Sequence, residues 1–183
     1  MGLIILSDYL PGVFTTVKNI YYLLIVTNLL VDLLVYALLP DSVATHFAAG
    51  GTPNGWFTAR GNLCFSLSLQ TLFIGVVFAM RTALLHTPRQ LVNLPNKDYW
   101  FADRHRAEFN RRWERLAYQF GCSLMAFFLC MSLIVTAANF ANPPHLDTTL
   151  FVTVLACFLA SIVYWIFCIY RTLRIPPATG SGT

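Results

Sequence analysis

Four long apolar runs, at about 19–39, 63–85, 116–138 and 148–170, are separated by polar, turn-rich breaks. Each is close to the ~20 residues an α-helix needs to cross a hydrocarbon core of ~30 Å. The first run stops at Pro40, which cannot continue a helical ladder and disfavours helix at Leu39. The pattern predicts an all-α integral membrane fold, with residues 1–183 forming a single four-helix domain. Loop 40–62 joins the first two spans, loop 86–115 the second and third, and 171–183 is a tail. Asp8, Pro11 and Gly12 interrupt the beginning, so the stretch 2–6 is expected to lie on the membrane surface and the first helix to start near Asn19. No basic and apolar leader with a small-residue cleavage site precedes that span, so it is expected to act as the insertion signal. The small residues of 176–183 are expected to be disordered in isolation.

Polar residues inside the spans are costly and so carry information. Asn28, Asp32 and Tyr36 recur every four residues, and Asp32 lies about 12 Å below Pro40 at 1.5 Å per residue. An ionisable residue at that depth costs ~2.5–3.5 kcal/mol on insertion scales, so it is expected to face the bundle and find a partner. Gln70 lies eight residues below Asn62, the same depth counted from the other span, which makes Asp32 and Gln70 the candidate buried pair. A helix–helix hydrogen bond and a proton- or ion-linked site are the two readings of Asp32.

Loop 40–62 is the least lipid-like segment of the first half. Asp41 or Ser42 is expected to cap a short helix over 43–48 that Gly50 and Gly51 stop, with Thr52-Pro53-Asn54-Gly55 as a tight turn. Gly55 is expected to supply a positive φ, and Trp56 and Phe57 to anchor the turn at the membrane interface, with Arg60 beside them.

Charge sets a direction. Arg81, Arg89, Lys97, Arg104, Arg106, Arg111, Arg112 and Arg115 crowd one connection, while the loops on the other side carry only Arg60. The positive-inside rule places 86–115 and both termini in the cytoplasm and loop 40–62 outside. Within that connection lies Asn93-Leu94-Pro95-Asn96-Lys97-Asp98-Tyr99-Trp100, followed by Asp103 as expected cap of a basic amphipathic helix running into the third span. Its apolar stripe, Phe109, Trp113, Leu116 and Phe120, is expected to lie at the interface, with the basic face attracted to anionic lipid. Asp98, Asp103, Glu108 and Glu114 dilute the charge and argue against nucleic acid.

Composition agrees: 57% of the residues are hydrophobic and 11% charged, less than half the charge of a soluble domain. The five cysteines, Cys64, Cys122, Cys130, Cys157 and Cys168, all lie in apolar runs without ligand spacing and read as small packing residues. Asp41 and His46 share a side with His145 and Asp147, but their spacing carries no metal signature, and no histidine falls mid-span to ligate a haem. Nucleophile elbows, zinc-protease helices and phosphate loops are missing, so a non-enzymatic role without cofactors is expected.

The run Leu39-Pro40-Asp41, His46-Phe47, Gly50-Gly51 and Pro53-Asn54-Gly55-Trp56 resembles the domain of unknown function at the start of SdpI-type bacterial membrane proteins. Asn93, Pro95, Asn96, Lys97, Asp98, Tyr99 and Trp100 are similar to a motif of longer, uncharacterised members. SdpI-type proteins include an immunity factor that protects the producing cell from a secreted toxic peptide and sequesters a repressor at the membrane. The family's second domain is not recognised here, so the resemblance carries over only to Pro40, His46, Gly50, Pro53, Gly55 and Trp56. It implies a bacterial inner-membrane protein binding a ligand or protein through its external loop and its cytoplasmic basic loop, with membrane lipid as its other partner. The rival expectation is an accessory subunit of a larger membrane complex, and a third is proton-linked transport through Asp32.

Overall fold

The computed structural model of the chain describes residues 11–175. The expectations for 2–6 and 176–183 lie outside the described residues. Helix α1 spans Pro11–Leu38, strands β1 and β2 span Ser42–Phe47 and Pro53–Thr58, and α2 spans Ala59–His86. A 3-10 turn at Arg89–Leu91 and the short helix α3, Lys97–Trp100, lead to α4, Asp103–Phe140, and α5, Thr148–Thr172. Four of these helices, α1, α2, α4 and α5, are long and apolar enough to cross a membrane. This is a multi-pass membrane protein.

The first helix begins earlier than the sequence pattern implied, at Pro11 rather than near Asn19, and its membrane-length apolar stretch is Thr15–Leu38. A proline at the first helical position has its φ set for the helix and lacks only an N–H that would have no partner there, so Pro11 opens the helix instead of breaking it. The second span also starts earlier, at Ala59, where the Thr58 hydroxyl accepts from the Gly61 N–H at 3.0 Å and caps it. Asp147 does the same for α5, accepting from the Leu150 N–H at 2.9 Å.

Helix α4 is the hub on which α1, α2 and α5 pack. Tyr21 of α1, Val77 of α2 and Tyr118, Leu124 and Met125 of α4 form the central core. Gly121 permits the close approach: a Cβ there would stand 2.6 Å from the Tyr21 ring. Helix α5 lies along α4, with Phe158 stacked on Phe127 and the Trp165 indole donating to the Leu116 carbonyl at 2.7 Å. It contributes no buried residue of its own.

At one end of the bundle the loop between the first two spans forms an antiparallel β-hairpin, not the short helix over 43–48 expected from Asp41 and Ser42. The fold is therefore mostly helical rather than all-α. Val43, Thr45 and Phe47 alternate along β1, and β-branched and aromatic side chains on a strand gain cross-strand packing that an isolated helical turn cannot offer. The reversal falls at Ala48–Gly51, where the Gly51 N–H donates to the Ala48 carbonyl and the Ala48 N–H to the Thr52 carbonyl, both at 2.8 Å. Thr52–Gly55 is not a turn: Pro53, Asn54 and Gly55 belong to β2, and the positive φ sits at Gly51, +81°, not at Gly55.

At the far end, 87–102 folds back under the bundle. Helix α4 starts with Asp103 inside its first turn and without a side-chain cap, so Asp103 does not have the capping role expected of it. Phe109 is buried with Trp100 and Leu173, and the Trp113 indole donates to the Met80 carbonyl at 2.5 Å. The stripe expected to lie on lipid is thus consumed by protein packing, because the end of α5 and the Lys97–Trp100 helix reach it first.

Of the cysteines, Cys122 packs against the central core, whereas Cys64, Cys130 and Cys157 lie exposed on the outer faces of their helices. For those three the packing reading does not hold, since each residue is exposed instead of enclosed by the bundle.

Candidate functional site

Three constellations collect the polar residues singled out in the sequence. The first is the hairpin. Its register pairs Ser42 with Thr58, Val43 with Phe57, Ala44 with Trp56, His46 with Gly55 and Phe47 with Pro53, with irregularities on either side of His46. Val43 and Ala44 are fully buried. Asn139, near the end of α4, fastens the strand: its Oδ1 accepts from the Ala44 N–H at 2.8 Å and its Nδ2 donates to the Ala44 carbonyl at 2.9 Å. The same Nδ2 donates to the Val135 carbonyl at 2.9 Å. A side-chain amide here completes the edge of β1 as a neighbouring strand would, satisfying two buried backbone groups at once.

The turn is fastened separately. The Leu146 N–H donates to the Gly51 carbonyl at 2.8 Å, and a Cβ on Gly51 would stand 2.3 Å from the Leu146 carbonyl oxygen and 2.9 Å from the His145 ring. Gly51 is therefore required twice, by its φ and by the closeness of the loop before α5. Leu146 then joins Ile134, Ala138, Phe47, Phe151 and Val154 in a small apolar cluster beneath the hairpin. Gly55 is required for a different reason than the expected positive φ, since its missing Cβ leaves room for His46, whose Cβ would be 2.9 Å away. His46 stands on a strand, its ring edge-on to Phe57 with centroids 6.3 Å apart, instead of projecting from a surface helix. Trp56 is half exposed, and Asp41, Asn54 and Gly50 are exposed. Pro40 ends α1, and the Asp41 carbonyl accepts from the Ala59 N–H at 3.0 Å, closing the hairpin's base.

The second constellation lies between the spans. Asp32 is buried, and Gln70 Nε2 and Ser66 Oγ donate to its Oδ2 at 2.5 and 2.7 Å. Ser132 Oγ, on α4, donates to its Oδ1 at 3.3 Å. The pairing of Asp32 with Gln70 expected from depth is present, and Ser66 and Ser132 complete it. Asn28 stands apart: it is buried, donating to the Leu24 and Met125 carbonyls at 2.8 and 3.1 Å. Tyr36 does not join, being 41% exposed. Four residues turn a helix by about 400°, so two such steps carry Tyr36 some 80° away from the Asn28 direction.

The third is the motif at 93–100. Asn96, in the left-handed conformation with φ +56°, donates from Nδ2 to the Leu173 carbonyl at 2.9 Å, and the Trp100 indole donates to the same oxygen at 2.8 Å. Arg112 donates to the Thr172 carbonyl at 2.7 Å, pairs with Glu108 and lies over the Trp100 ring at 4.9 Å. The orphan carbonyls at the end of α5 are thus capped by a distant segment, the task usually left to a glycine motif. Tyr99 stacks on His105 with centroids 3.9 Å apart. Lys97 opens the short helix, and Asn93 and Pro95 lie in the loop leading to it. Several basic residues of this end are likewise occupied within the chain: Arg81 pairs with Glu114, and Arg106 donates to the Leu84 carbonyl at 2.7 Å. Arg104, Arg111 and Arg171 remain exposed.

Comparison with known proteins places a domain of unknown function (DUF1648) at residues 23–65, from the second turn onward of the apolar part of α1, through the hairpin, into the start of α2. No curated protein and no solved structure matches the chain.

Proposed function

We propose that this chain is a non-catalytic, SdpI-like protein of the bacterial inner membrane that binds a ligand or protein partner through its hairpin. The observation that supports this reading is the way the hairpin is held: Asn139 and Leu146 fix its inner side to the bundle, while Trp56, His46 and Asn54 face outward. A rigid platform ending in a half-exposed tryptophan loses little conformational freedom on binding, and tryptophan is favoured at binding hot spots. The basic end lies inside the cell in this reading, together with both termini, because Arg60 is the only Lys or Arg at the hairpin end. Since Arg106, Arg112 and Arg81 are engaged within the chain, the cytoplasmic contact falls to the exposed Arg104, Arg111 and Arg171, which suit anionic lipid headgroups.

A photo-crosslinking residue at Asn54, in native membranes, tests this. The expected result is a discrete adduct that disappears with Trp56→Ala while the protein remains folded. An adduct insensitive to Trp56→Ala, or none at all beside a productive position on α5, overturns it.

A second reading, an accessory subunit of a larger membrane complex, is favoured by α5. Leu159, Val163, Ile166 and Tyr170 form one exposed row along a helix that buries nothing. Crosslinks from this row to another polypeptide instead of to lipid would select it.

A further inference from the structure

We propose that the polar cluster around Asp32 is a binding site for a small monovalent cation of the sodium class, a role independent of the hairpin reading. Asp32 lies six residues from the end of α1, Ser66 seven from the start of α2 and Ser132 eight from the end of α4. At 1.5 Å per residue these are depths of about 9, 10 and 12 Å, so three spans bring oxygen-bearing side chains to one level inside the hydrocarbon.

The carboxyl group at this level has no basic partner among the described residues. Arg81 pairs with Glu114 and Arg112 with Glu108, and among the described residues no lysine, arginine or histidine pairs with Asp32. A purely structural tie between spans is made more cheaply by neutral side chains, because a carboxylate brings an insertion cost that a serine or an asparagine does not. The Asp32 carboxyl, with about four lone-pair sites and three hydrogen bonds, keeps acceptor capacity that the protein does not use.

The donor set defines the ligand. A carboxylate, two hydroxyls and an amide are hard oxygen ligands that suit sodium-like ions and not the softer transition metals. A single carboxylate balances one positive charge, which selects a monovalent ion over calcium or magnesium, whose sites gather more carboxylates. Entry of the ion requires the Gln70 and Ser66 side chains, now 2.5 and 2.7 Å from Oδ2, to draw back from the carboxylate, and a turn of the Gln70 amide presents its oxygen in place of its nitrogen.

Thermal unfolding of the purified full-length protein in sodium-free choline chloride, titrated with NaCl at constant ionic strength, tests the site. The expected result is a saturable rise in unfolding temperature with sodium that choline does not reproduce, since an ion that binds only the folded state stabilises it by mass action. Asp32→Asn is expected to fold and to lose this rise, and Ser132→Ala to shift it to higher sodium. If Asp32→Asn does not fold, Ser132→Ala and the binding of radioactive sodium to the unmodified protein decide. Equal unfolding temperatures in sodium and choline, or an unchanged sodium response in Asp32→Asn or Ser132→Ala, overturn the proposal.

Discussion

Replacing Asn139 with alanine tests how the hairpin is held. The substitution removes the acceptor for the Ala44 N–H and the donor to the Ala44 carbonyl, two backbone groups of a fully buried residue. Each orphaned group costs about 1–3 kcal/mol. Partial entry of water at this end of the bundle recovers some of that, leaving about 2–4 kcal/mol lost from the attachment of the hairpin. At about 1.4 kcal/mol per factor of ten, local opening becomes some 30- to 1000-fold more frequent. Amide hydrogen exchange of a peptide covering 42–47 reads this directly, and the exchange of α1 and α4 should hardly change, because their core around Tyr21, Tyr118 and Met125 does not include the hairpin. Asn139→Asp keeps an acceptor for the Ala44 N–H but loses the donor to two carbonyls, so it should open the hairpin as well. Protection of 42–47 within about threefold of the unmodified protein in Asn139→Ala would show that this amide does not hold the strand.

Other substitutions separate the causes. Gly51→Ala is expected to cost about 1–3 kcal/mol, from a positive φ and a Cβ 2.3 Å from the Leu146 carbonyl. Gly50→Ala, with nothing within 4 Å, should stay within about 0.5 kcal/mol, so equal melting of the two variants would contradict this turn geometry. Gly55→Val should loosen the hairpin through His46, and adding His46→Gly, which removes the Cβ 2.9 Å away, should restore part of its exchange protection. Failure of that rescue would put the clash elsewhere. His46→Gln alone should keep the fold in a thermal melt. Trp100→Phe should cost about 0.5–1.5 kcal/mol by removing one of two donors to the Leu173 carbonyl, seen as faster exchange at the end of α5.

What the chain reveals by itself is governed by distance along it. The spans are legible because length and apolarity are local properties, and Asp32 with Gln70 is legible because depth can be counted from the ends of two helices. Ser132 is not, since nothing in a serine of α4 says that it meets a residue of α1. The hairpin had a local signal that competed with another: alternating Val43, Thr45 and Phe47 ahead of Gly50-Gly51 favour a strand, while Asp41, Ser42 and three alanines favour a capped helix. The decision between them comes from Asn139, 95 positions away from Ala44, and no local pattern contains it. The same holds at the far end. Phe109 and Trp113 form an amphipathic stripe that lipid would satisfy equally well, and the burial of Leu173 and Trp100 is what turns the stripe toward protein. Asn96 in the left-handed region and its bond to Leu173 likewise belong to a contact between the middle of the chain and its end.

The most direct test of the central claim, a hairpin presented outside the cell on a four-span bundle, is the labelling of single cysteines in a cysteine-free background with a membrane-impermeant maleimide. Asn54→Cys, on the exposed side of the hairpin, is expected to react in intact cells, and Arg104→Cys, on the opposite end, only after the membrane is permeabilised. Labelling of Arg104→Cys in intact cells with Asn54→Cys protected would place the hairpin in the cytoplasm and contradict the proposed binding face.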